Sequence, residues 1–146
     1  IIPEVKLFIC GANPSKKILN YRDQFDNIFV TGRVDNLAKE ISKSSLAIAP
    51  MISGSGIQNK ILEAMASGIP VVTNRKGLGD IKAQINKEIL VAENPKEFTK
   101  LICKVLNNKK FGRQIGLNGR LFILKNYNWN NQHEILNSAL NNIKSK

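Results

Sequence analysis

PMISGSGIQNKILEAMASGIPVV, residues 50–72, reads in order as a strand end closed by Pro50, a glycine-bearing loop, a helix, a turn and a buried strand. That order builds an anion seat. Ser53, Gly54, Ser55 and Gly56 let the backbone turn sharply and approach a ligand closely, and a helix opening near Gln58 leaves its first amides pointing back at the loop. A phosphate is favoured there by those amides and by the partial positive charge of the helix start. Ile57, Ile61 and Met65 recur at i, i+4 and i+8, with Leu62 and Ala66 widening the stripe, so one helix face is expected to pack on a sheet. Lys60, Glu63 and Ser67 fall on another face. Glu63 stands among Leu62, Ala64, Met65 and Ala66, which predicts a half-buried carboxylate suited to holding a pair of ligand hydroxyls.

Outward from this stretch, short and nearly continuous apolar runs at 5–10, 28–31, 46–50, 69–73 and 89–92 have the pattern of strands covered on both faces in a parallel sheet. Helices are predicted between them at 16–25, 37–44 and 57–67. This alternation predicts an α/β fold with right-handed βαβ crossovers and a doubly wound, Rossmann-like parallel sheet, with ligand at the carboxyl ends of the strands. Asn94-Pro95 opens a further helix with Phe98, Leu101, Ile102, Val105 and Leu106 on one stripe and Asn94 as its cap. Helices at 109–126 and 129–145 follow, the last carrying Ile135, Leu136, Ala139, Leu140 and Ile143 on its apolar face.

The 146 residues suit one domain, long enough to bury roughly 70% of the unfolded surface. No run of about 18 apolar residues occurs, and the start lacks the charged and hydrophobic regions of a secretory leader. The two cysteines, Cys10 at a strand end and Cys103 in a helix stripe, read as small buried hydrophobes of a reducing compartment and not as a bridge. No metal-ligand spacing occurs. The net charge of +11 attracts polyanions in general. Its lysines are dispersed, however, which reads first as solvated helix faces, second as attraction to an anionic membrane surface, and not as a nucleic-acid site. His133, the single histidine, reads as solvated.

The central string resembles the signature of the GT-B glycosyltransferases of the large retaining group 1, or GT4, family, in which a helix reads roughly E-x7-E-A-M-A-x-G-x-P-V-V. Residues Glu63-Ala64-Met65-Ala66-Ser67-Gly68-Ile69-Pro70-Val71-Val72 match it. Residues 5–11 are similar to the family's strand ending in a glycine beneath the nucleotide, and 28–34 to its v-x-f-x-G-x-v segment. Asn126-Tyr127-Asn128-Trp129 is similar to its f-s-W element, and Gly77-Leu78-Gly79-Asp80 to its diglycine loop. Two positions depart from the pattern. Ser55 stands where the family has a glutamate contacting the donor sugar, and Ile57-Gln58 replace a Phe-Gly pair, giving a G-x-x-N-K variant.

The resemblance implies the C-terminal, donor-nucleotide-binding half of a GT-B enzyme, with residues 1–146 as a single domain fragment lacking the N-terminal acceptor domain and the first βα unit. It implies a metal-independent hexosyl transfer from a UDP- or GDP-sugar to a glycan or lipid-linked saccharide, with polysaccharide biosynthesis as the setting, and a fragment inactive alone. Lys60 and Glu63 take the catalytic roles, on the diphosphate and the ribose hydroxyls. Gly54, Ser55, Gly56, Ile57, Gln58 and Asn59 line the phosphates, and Gly32, Arg33 and Val34 the base. The expected place is cytoplasmic, peripheral at the inner face of the cell membrane. An apolar face left on the last helix invites a homodimer. Two other readings stand beside this one: a sugar-nucleotide epimerase half-domain of the same architecture, and a non-enzymatic polyanion-binding module.

Overall fold

The structure is a computed structural model that describes residues 2–54 and 56–127. Ser55, Trp129, His133 and the expected 129–145 helix lie outside the described residues. The chain divides into two compact units, Ile1–Lys43 and Ser44–Lys146.

In the first unit, β1 (Leu7–Cys10), α1 (Lys16–Gln24) and β2 (Ile28–Gly32) form a βαβ crossover, and α2 (Leu37–Ser42) follows. The strands pair in parallel with Leu7 opposite Ile28 and Ile9 opposite Val30. Ser15 caps α1 through the Ile18 amide and Asn36 caps α2 through the Lys39 amide, each satisfying a donor that lacks an intrahelical partner. The expectation that these strands are covered on both faces fails here. Burial alternates along both of them. Phe8 and Phe29 are 54% and 38% exposed and stack on each other at 5.0 Å, each shielding part of the other where no helix lies over them. Cys10 shares that exposure, so it is not the buried hydrophobe that its strand position suggested.

In the second unit, β3 (Ala47–Ala49), β4 (Val71–Thr73) and β5 (Leu90–Val91) form a parallel sheet in the order β3-β4-β5. Its helices are α3 (Asn59–Ala66), α4 (Arg75–Leu78), α5 (Pro95–Asn107) and α6 (Lys109–Asn126). Here the two-sided covering holds at the central strand β4, while β3 alternates and leaves Ile48 39% exposed. Val71, Val72 and Thr73 are all buried, and the Thr73 hydroxyl is satisfied by donating to the Ala49 carbonyl at 2.8 Å. Val72, Leu90, Ala92, Val105 and Ile115 form one core cluster that joins the sheet to α5 and α6. Asn94 caps α5 as expected, through the Glu97 amide. The helix α6 approaches the turn after α3 so closely that a Cβ at Gly116 would stand 2.2 Å from the Gly68 carbonyl oxygen. That contact seats α3, and with it the loop before it, on the rest of the unit.

Candidate functional site

The 50–58 loop leaves the carboxyl end of β3, and its conformation is held from β4 and α4. Asn74, immediately after β4, accepts the Gly77 amide as the cap of α4 (2.9 Å) and donates its own Nδ2–H to the Met51 carbonyl (2.8 Å). Lys76 donates from Nζ to the Ile52 carbonyl at 2.8 Å. Gly79 packs against Gly56: a Cβ there would lie 2.6 Å from the Gly56 carbonyl oxygen, and its φ of +49° is one that L side chains rarely adopt. Gly56 itself turns with φ +69°, which carries the chain from the loop into α3. Three loop residues, Met51, Ile52 and Gly56, are therefore fixed by a single short helix and its ends.

Gln58 is the N-cap residue of α3, and among the described residues its side chain makes no capping bond to the helix. Asn59 and Lys60 follow in its first turn, where no carbonyl lies four residues back to take their amides. Lys60 is exposed in that first turn, from where its side chain can reach the same end of the helix as the amides. Unpaired amides at a helix start and a nearby cation are the kinds of donor that can hold the oxygens of a phosphate group.

Glu63 is exposed, which corrects the expected half-buried carboxylate. The reason is the phase of α3. Its buried residues are Ile61, Ala64 and Met65, while Ile57 lies before the helix, 46% exposed, and Ala66 faces solvent. The buried stripe is narrower than the expected one, without Ile57 and Ala66, and Glu63 lies on the opposite face, so its apolar sequence neighbours do not cover it. Ser67 donates its hydroxyl to the Glu63 main-chain carbonyl at 2.9 Å and leaves the carboxylate alone. Among the described residues, no ion pair engages Lys60 or Glu63. Neither charge is therefore committed to an ion pair there.

Of the residues singled out in the sequence, Gly54, Gly56, Ile57, Gln58, Asn59, Lys60 and Glu63 come together in this strand, loop and helix of the second unit. Ser55 is outside the described residues. Gly32, Arg33 and Val34 belong to the first unit, where Gly32 ends β2 and its carbonyl accepts the Gly11 amide at 2.9 Å. Arg33 is exposed and Val34 half-buried. The same end of that unit holds a cavity of about 330 Å³ lined by Cys10, Gly11, Asn13, Ser15, Ile18 and Val30. Sequence reasoning passed over Asn13 and Ser15 there, and gave no role to Asn74 and Lys76. A signal existed for Asn74, an Asn three residues before a glycine, which is capping chemistry. Among the described residues no group of three or more His, Cys, Asp or Glu could hold a metal ion, and no helix is long and apolar enough to cross a membrane.

The family model of the glycosyl transferases group 1 matches residues 1–108. An uncharacterized glycosyltransferase of Methanocaldococcus jannaschii is 28% identical over 108 residues, covering 71% of this chain and 28% of the relative. The structure of Anabaena Alr3699/HepE in complex with UDP superposes with a TM-score of 0.82 at 14% identity, over 97% of this chain and 42% of that one. Sucrose-phosphate synthase from Thermosynechococcus elongatus superposes with a TM-score of 0.81 at 19% identity, over 96% of this chain and 39% of that one. The chain thus spans well under half the length of each of these proteins. It belongs to the group 1 glycosyl transferases, and its parallel-stranded α/β architecture is that of the corresponding part of the GT-B enzymes.

Proposed function

We propose that this chain is the donor-binding part of a retaining glycosyltransferase that takes a UDP- or GDP-sugar and passes its hexosyl group to a glycan or lipid-linked saccharide at the inner face of an anionic membrane. The observation that carries the reading is the tied loop of residues 50–58 opening into the start of α3, with Lys60 and Glu63 both exposed and, among the described residues, in no ion pair. The UDP held by the Anabaena protein supports the choice of a nucleoside diphosphate.

Chemically, the barrier is departure of a nucleoside diphosphate from an anomeric carbon that acquires oxocarbenium character. Charge grows on the leaving phosphate oxygens as that bond breaks. Donors fixed before the reaction stabilise it most, because they need no reorganisation at the moment of bond cleavage. Loop amides around Gly54 and Gly56, the Asn59 and Lys60 amides and the Lys60 ammonium supply that stabilisation, so the chain's own groups neutralise the phosphates without a metal. The Glu63 carboxylate accepts from the ribose hydroxyls.

Residues 1–146 alone bind the nucleoside diphosphate weakly and transfer nothing, since the acceptor must be held by another part of the enzyme. Titration calorimetry with UDP, GDP and ADP, with heparin as a polyanion control, tests this. Saturable UDP or GDP binding that Glu63→Ala abolishes is the expected result. Binding indifferent to Glu63→Ala and removed by salt alone would refute the donor site in favour of non-specific attraction, and sugar transfer by this chain alone would refute its inactivity.

A further inference from the structure

The helix α6, KKFGRQIGLNGRLFILKN, carries Lys109, Lys110, Arg113, Arg120 and Lys125 and no acidic side chain. Its buried residues, Gly112, Ile115, Gly116, Gly119 and Ile123, make one stripe against the unit. Leu117, Leu121 and Leu124 recur at i, i+4 and i+7 on the other side and are 52%, 54% and 57% exposed. With about 3.6 residues per turn, Lys110 falls within this leucine strip, and Arg113 and Lys125 fall on its two flanks. An apolar strip bordered by cations suits a helix lying in the plane of an anionic bilayer. The leucines enter the acyl boundary, and the long cationic side chains reach back to the phosphates.

A second observation adjoins the first. A cavity of about 400 Å³ opens beside the strip, with Lys82, Lys87, Glu88, Asn118, Leu121 and Lys125 in its lining. It sets Lys82 and Lys87 beside a single carboxylate, Glu88, and Leu121 belongs to both strip and cavity. Its wall is fixed: Asn118 donates to the Lys87 carbonyl at 2.9 Å, and Glu88 accepts the Gln84 amide at 2.6 Å. This region precedes β5, so it lies at the amino end of a parallel sheet whose carboxyl end bears the 50–58 loop.

We infer that the outward face of α6 seats on an anionic phospholipid bilayer, with Leu117, Leu121 and Leu124 in the interface and the adjoining cavity receiving a lipid phosphate. Charge complementarity selects this occupant. A second copy would bring another +11 against the same cations, whereas an anionic bilayer offers both opposite charge and an apolar interior. The inference rests on the membrane part of the proposed function and assigns the surface that performs it.

Vesicle co-sedimentation of residues 1–146 tests it, with phosphatidylcholine alone and mixed with phosphatidylglycerol, at about 0.15 M salt where surface charge is largely screened beyond about 8 Å. The expected result is binding to the anionic vesicles only, weakened roughly tenfold by Leu117→Ser/Leu121→Ser/Leu124→Ser, with an unchanged unfolding midpoint. Lys82→Gln/Lys87→Gln weakens it as well. Failure of the wild-type chain to bind anionic vesicles would overturn both this inference and the membrane reading. Equal binding by the leucine variant would overturn only the assignment to α6. A lowered unfolding midpoint, or a changed oligomeric state, in the leucine variant would overturn it too, by showing that protein covers these residues.

Discussion

Asn74 offers the sharpest test of how the site is built, because its two side-chain atoms do different work. Oδ1 caps α4 by accepting the Gly77 amide at 2.9 Å, and Nδ2 ties the Met51 carbonyl at 2.8 Å. Asn74→Ala removes both. Loss of the cap costs about 1 kcal/mol, and loss of the partly buried bond to Met51 about 1 kcal/mol more, so a total of about 2 kcal/mol is expected from urea unfolding. Asn74→Asp keeps the acceptor for Gly77 but cannot donate to Met51, and it turns a carboxylate oxygen toward that carbonyl. It should retain the cap and still lose about 1 kcal/mol or somewhat more. Nucleotide affinity separates the two roles further. If the tie to Met51 positions the phosphate donors, both variants lose UDP or GDP affinity, and Asn74→Asp loses it out of proportion to its smaller loss of stability. Full nucleotide affinity in Asn74→Asp, alongside reduced stability, would refute the claim that this bond organises the site.

Gly79→Ala should be worse than an ordinary glycine replacement, since φ +49° is unfavourable for alanine and the new Cβ would lie 2.6 Å from the Gly56 carbonyl. A loss of about 1–3 kcal/mol in unfolding, together with weakened nucleotide binding, is the expected outcome, and an unperturbed variant would deny the contact between the two loops. Lys60→Gln and Lys76→Gln should separate as well. The first lowers nucleotide affinity with an unchanged unfolding curve, because Lys60 is exposed and in no ion pair. The second lowers stability by about 0.5–1 kcal/mol through its bond to Ile52, and calorimetry together with urea titration of both variants reads the difference.

Long periodic elements with capping residues were legible in the sequence. Asn94-Pro95 marks the start of α5, and α6 occupies Lys109–Asn126, the range expected for it. Strand ends were less so. The apolar run 5–10 yields a ladder only over Leu7–Cys10, since the run begins at Val5, before the first residue that finds a pairing partner. The start of α3 shifted by two residues for a related reason: Ile57 fits the apolar period, but Gln58 has extended backbone and the helix begins after it. The misjudged burial of Glu63 has another cause: its apolar neighbours in sequence point to other faces of the helix than its own. The four-residue α4 has too few turns to show a period, so the ties it makes to residues 23 and 24 positions earlier left no local trace. The exposed pair Phe8 and Phe29 was equally hidden, because an apolar run does not say whether a helix covers its outer face.

The groups that shape the 50–58 loop are distinct from those left to meet a ligand. Asn74 uses both of its side-chain atoms on the backbone, Lys76 commits its ammonium to the Ile52 carbonyl, and Gly79 contributes only close approach. The Lys60 ammonium and the Glu63 carboxylate enter no such tie. A glycine-bearing loop without those ties would have to order itself when a phosphate arrived, and the lost conformational freedom would be subtracted from the binding energy. Fixing Met51, Ile52 and Gly56 beforehand places that entropy in the folding of the second unit instead. Phosphate affinity in this chain should therefore follow the integrity of α4 as closely as it follows the identity of residue 60.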